Sequence, residues 1–142
     1  MRLLAAIILC ASPATAWEFT ETDVCILSHS DPAAEVTIIY DPAQPLYTIT
    51  LTRPEKAWPA GPDFRIRFDG NRPISIGTTR QVISDAGRTV SVSDVGFGNV
   101  LDGVEFNALM FATIGDQGVS IPLAGAEGPM ANFRACPAPK AS

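Results

Sequence analysis

The clearest pattern in the chain is an alternation of period two. In residues 46–53 (LYTITLTR), Tyr47, Ile49 and Leu51 fall on one side and Thr48, Thr50 and Thr52 on the other. Alternation with β-branched residues throughout predicts a half-buried antiparallel strand. Residues 35–40 (EVTIIY) repeat it, with Val36, Ile38 and Tyr40 inward. Residues 64–68 (FRIRF) repeat it again, with Phe64, Ile66 and Phe68 inward and Arg65 and Arg67 outward. Further strands are predicted over 24–30, 74–79, 108–113 and 119–123. Residues 81–84 and 88–93 read as a hairpin around Asp85-Ala86-Gly87, with the glycine supplying positive φ. Residues 17–23 (WEFTETD) read as a loose arm or an edge strand.

The breaks are as legible as the strands. Ser30-Asp31-Pro32 and the two prolines of DPAQP end their strands, since proline cannot continue a ladder. Residues 54–63 (PEKAWPAGPD) are the longest irregular segment, with Trp58 in the middle. From Asn99, Val100, Leu101 and Val104 have helical spacing, which predicts one short turn capped by Asn99, with Gly103 opposing it. After Gly125 a second short helix places Met130 and Phe133 on one face, with Pro129 in its first turn and Pro137 ending it. About nine short strands at close spacing predict an all-β fold, an antiparallel sandwich or small barrel with a short C-terminal helix.

The first residues change the picture by giving an address. Arg2, the apolar run LLAAIILCA and Ala14-Thr15-Ala16 stand in the order of a bacterial signal peptide, with cleavage before Trp17. The apolar run is too short to span a bilayer, and no later segment reaches that length. Leu9 before Cys10 argues against a lipoprotein. The expected organisation is a signal peptide over 1–16, one β-rich domain over 17–137 and a disordered tail over 138–142, in a periplasmic or secreted protein. Losing Cys10 leaves Cys25 and Cys136 near the two ends of the mature chain. In an oxidising compartment that even count reads as a disulfide; two free, buried thiols are the alternative.

Charge and motifs mostly exclude. Cleavage removes Arg2 and leaves nine basic against fifteen acidic residues, a net charge of −6, with only Lys56 and Lys140 as lysines. Such a chain has no footprint for a nucleic-acid backbone. Gly96-Phe97-Gly98 is not a dinucleotide fingerprint, because Gly103 comes two positions late and no βαβ unit surrounds it. There is no phosphate-binding G-x-x-x-x-G-K-[ST]. Asp94, Asp102 and Glu105 are oxygen donors around a glycine loop, but their spacing fits no calcium loop, so no metal and no cofactor are expected.

The single histidine, His29, stands in a row Ser28-His29-Ser30-Asp31. Adjacent strand residues point to opposite faces, so this is not a triad. The expectation is a partly exposed strand histidine near a turn, and no catalytic residue. Three residues are candidates for partner contact. Arg65 and Arg67 share a face that would suit a partner's carboxylates, although pairing with neighbouring acids explains them as well. Trp58 is a presented aromatic or, as favoured here, an anchor that holds its proline-rich loop to the core.

The signal peptide, the β-rich body and the run VSIPLAGAEGPMANFRAC with its late cysteine resemble the small periplasmic proteins of the invasion-associated locus B type. In those, a strand ending in a small-residue step leads into a helix. The match covers residues 109–136. The resemblance implies an exported, non-catalytic β-domain that meets an envelope or host-surface partner, and it transfers no active-site residue. The function expected is therefore a non-catalytic binding or structural module of the cell envelope. The alternatives are a carrier of a small apolar ligand in a β-barrel and a small hydrolase using His29.

Overall fold

A computed structural model describes residues 17–137. The predicted signal peptide and the predicted tail lie outside the described residues. In chain order the elements are β1 (Glu18–Glu21), β2 (Cys25–Ser30), β3 (Glu35–Asp41), β4 (Leu46–Thr52), β5 (Phe64–Gly70), β6 (Ile74–Thr78), β7 (Val82–Ser84) and β8 (Thr89–Asp94). Then come α1 (Gly98–Phe106), β9 (Asn107–Ile114), β10 (Gln117–Pro122) and α2 (Glu127–Arg134).

The strands form two antiparallel sheets. One has six strands in the order β1-β2-β3-β4-β8-β7, the other four in the order β10-β9-β5-β6. Each sheet keeps two edges, so this is an open sandwich and not the barrel that the strand count also allowed. Ten strands are present where about nine were expected, because residues 17–23 do contribute an edge strand, β1, paired to β2.

Alternation decides what lies between the sheets. Val36 and Ile38 of β3, Ile49 and Leu51 of β4, and Phe64, Ile66 and Phe68 of β5 are all buried, and they meet in one hydrophobic core. Arg65 and Arg67 project from the opposite face of β5. A buried Phe or Leu stabilises by roughly 1.5–3 kcal/mol, so this shared core is the main favourable term.

The first helix departs from expectation. It runs for nine residues, and Phe97, not Asn99, takes the cap position, without a side-chain cap hydrogen bond. Gly103 is there because of close packing: a methyl built on it would overlap the ring of Phe68. The helix has given up helical propensity to let a core phenylalanine approach its backbone. The β7–β8 turn also differs, since Asp85 and Ala86 share the positive φ assigned to Gly87 alone.

The second helix buries Met130 and Phe133 as its spacing predicts, and it ends at Arg134, before Pro137. It packs on β1, β2 and α1. Cys136, just beyond it, is bonded to Cys25 at the start of β2. The bond closes a loop over a sequence separation of 111 residues. In the chain-entropy account such a loop adds on the order of 4–5 kcal/mol. A disulfide here fits an oxidising compartment. Among the described residues no helix is long and apolar enough to cross a membrane.

Arg134 ties the two helices together. Its Nε donates to Glu105 and an Nη to Asp102, both at 2.7 Å. Burial pulls its pKa down, but the hydrogen bonds to Asp102 and Glu105 outweigh that and hold the guanidinium above its ordinary value.

Candidate functional site: an apolar cleft between the sheets

The sandwich is not filled everywhere. Between β6 of one sheet and β8 of the other, the two layers part into a cleft of about 480 Å³. Its walls follow from the alternation: β4 and β8 contribute Ile49 and Val92, and β5 contributes Phe64 and Ile66. Ile76 comes from β6, and Phe97 and Val100 from the start of α1. That volume lies within the roughly 300–1,000 Å³ of small-ligand sites, which are mostly apolar with a few placed polar groups.

The polar groups stand at the mouth. Arg80 donates to Asp94 at 2.9 Å, both side chains being partly exposed. Asp94 also accepts from the backbone N–H of Val95 at 2.7 Å. That backbone bond first, and the bond from Arg80 second, hold its carboxyl below the ordinary value of 3.8. Gly96 and Gly98 border the opening, and a methyl group built on either meets nothing within 4 Å. A larger side chain at either position would have room beside the opening.

Where the sequence-derived candidates lie is instructive. Trp58 is only 4 % exposed. Its indole N–H donates to the carbonyl of Leu51 and its backbone N–H to that of Gly87. Phe64 meets it edge-on at 6.2 Å, and the guanidinium of Arg53 lies 5.2 Å above it. It is an anchored core residue, and as a partner contact it is inaccessible. Arg65 and Arg67 are exposed, 3.7 Å from Asp63 and 3.3 Å from Asp69. Arg67 also stacks over Phe111 at 4.5 Å. Such surface pairs contribute at most about 1 kcal/mol each.

The expectation of a partly exposed His29 is corrected: it is 3 % exposed. Cys25, Leu27 and His29 share the inward face of β2, and the strand period outranks the nearby turn. Asp31 lies 3.9 Å from Nε2, beyond hydrogen-bond distance, and neither ring nitrogen has a hydrogen-bond partner among the described residues. Ser30 is exposed, on the other face. The three carboxylates Asp94, Asp102 and Glu105 do not gather either. The first pairs with Arg80, the other two with Arg134. Glu21, Cys25 and Cys136 have ligand atoms within 4.8 Å of one another, but both sulfurs are spent in the disulfide.

No protein-family model matches the chain, and no curated protein or solved structure does.

Proposed function

We propose that this chain is an exported, non-catalytic binding module of the bacterial envelope, acting in the periplasm or after secretion, and that the cleft between β6 and β8 is its binding element. The observation that carries the reading is the cleft itself: an apolar opening of about 480 Å³ between the two sheets, with the exposed Gly96 and Gly98 at its border. Its deep wall is covered, since Ile49, Phe64, Ile66, Phe97 and Val100 are buried, and the half-buried Ile76 and Val92 line the opening. Concave, mostly apolar sites of this kind are where small ligands bind.

The disulfide supports the address, and the signal-like start of the chain supports export. The resemblance to invasion-associated locus B proteins points the same way. His29, sealed beneath other side chains, offers substrate no approach, which argues against hydrolysis.

The test uses Nile red, whose fluorescence rises on entering an apolar site, added to the mature oxidised protein. Saturable binding is expected, and Gly96→Phe, which places a ring in open space at the entrance, should weaken it at least tenfold. Dye binding that this substitution leaves untouched would refute the cleft as the site.

A further inference from the structure

The cleft is bordered by two strand edges, and this says what kind of molecule fits it. Among the described residues β6 pairs with β5 on one side only. β8 pairs with β4 along its length, but β7 covers it only from Thr89 to Ser91. Its remaining residues, Val92 to Asp94, have no strand on that side among the described residues. An acyl chain or a ring would fill the volume and leave these backbone groups unmatched. An extended polypeptide would fill it and hydrogen-bond to the edge.

The four sheet edges are not alike. Natural edges are blunted by charge, proline or shortness, because a bare edge invites pairing with another chain. β1 carries Glu18 and Glu21, β10 carries Pro122, and β7 is three residues long. β6, with the sequence ISIGT, has no charge and no proline. Among the described residues it is the regular edge with neither charge nor proline, and it borders the cleft beside the start of α1.

We infer that β6 accepts a strand from a partner protein: an extended segment of about five residues with apolar side chains at alternate positions. Its backbone continues the sheet β10-β9-β5-β6, and its inward side chains enter the cleft beside Ile76 and Val92. A second copy of this chain is a poorer occupant. Its own β6 turns Ile74 and Ile76 into its own core, leaving Ser75 and Gly77 on the other side. The inference rests on the cleft reading and adds the occupant to it.

The test selects random octapeptides displayed on phage against the mature, oxidised protein and resynthesises those enriched. Alternating apolar sequences are expected. N-methylation of every second peptide amide in one register should weaken binding at least tenfold, while the other register should stay within about twofold. Gly96→Phe should weaken the same peptides at least tenfold with an unchanged unfolding midpoint. Gly98→Phe replaces it if that variant fails to fold. No enriched peptide, equal sensitivity of both registers, or indifference to the filled cleft would each overturn strand addition. A concentration-dependent homodimer in sedimentation, with no peptide enriched, would overturn it in favour of self-pairing. If Nile red still enters the cleft while peptides fail, the occupant is wrong and the site stands; if both fail, the site is wrong too.

Discussion

The imidazole of His29 lies flat against the indole of Trp17, with ring centroids 5.0 Å apart and planes 16° from parallel. Trp17 is itself buried, and its Nε1 donates to the carbonyl of Pro122 at the end of β10, 3.0 Å away. A residue just ahead of β1 in one sheet thus closes against the last strand of the other. The histidine completes that seal by packing against it.

The seal can be tested by making the histidine apolar. Because neither ring nitrogen has a hydrogen-bond partner, His29→Leu removes a buried polar group without stranding another. The variant should unfold within about 1 kcal/mol of wild type in urea and bind Nile red unchanged. A loss of several kcal/mol would show that the imidazole makes a polar interaction essential to the fold.

Trp58 holds residues 54–63 to the body. Its burial, its indole hydrogen bond to Leu51 and its contact with Phe64 disappear on truncation, while the backbone bond to Gly87 remains. Trp58→Ala should cost about 3–5 kcal/mol, the range for large-to-small core changes. An unchanged midpoint and an unchanged urea m-value would show that the loop does not need its anchor.

Gly103 offers a test in which the ordinary sign reverses. Glycine to alanine inside a helix usually stabilises by about 1 kcal/mol. Here the new methyl would meet the ring of Phe68, itself fully buried and unable to retreat. Gly103→Ala should therefore destabilise, by about 1–3 kcal/mol. A rise in melting temperature would mean that the helix and β5 are less tightly packed than their separation indicates.

Asp94 at the cleft mouth should titrate below its ordinary value of 3.8, through the Val95 N–H first and Arg80 second. A depressed carboxyl contributes stability above its unfolded-state pKa, and that contribution is lost as pH falls through the folded value. Carboxyl carbon shifts followed by NMR should show the low midpoint, and Arg80→Ala should move it up toward 3.8. A midpoint unmoved by that change would mean that the pair does not form in solution.

Strands whose alternation is strict were readable from sequence, because the period fixes both the element and its inward face. β3, β4 and β5 are examples, and so are the two apolar residues of α2. The length of α1 was not, because Gly103 lowers helical propensity for a reason that lies in Phe68, 35 positions away in sequence. The burial of His29 was in reach: Cys25 and Leu27 mark its face, and the nearby Asp31-Pro32 turn obscured it. The cleft left no local trace. Ile49, Phe64, Ile76, Val92 and Phe97 each read as ordinary core residues, and only the placement of β6 and β8 in different sheets brings them to one cleft. The glycines flanking Phe97 were the nearest signal, and they read equally well as a tight turn.

The claim that matters most is that this gap is where the protein binds. Methyl-resolved NMR of the mature oxidised protein, titrated with 1-octanol as a minimal apolar probe, tests it most directly. Saturable shifts should concentrate on Ile49, Ile66, Ile76 and Val92, which line the cleft, and should spare the exposed Ile83 on β7. Filling the entrance with Gly96→Phe should abolish them. Shifts that are absent, or that gather on Ile83 and Val82 instead, would contradict the account.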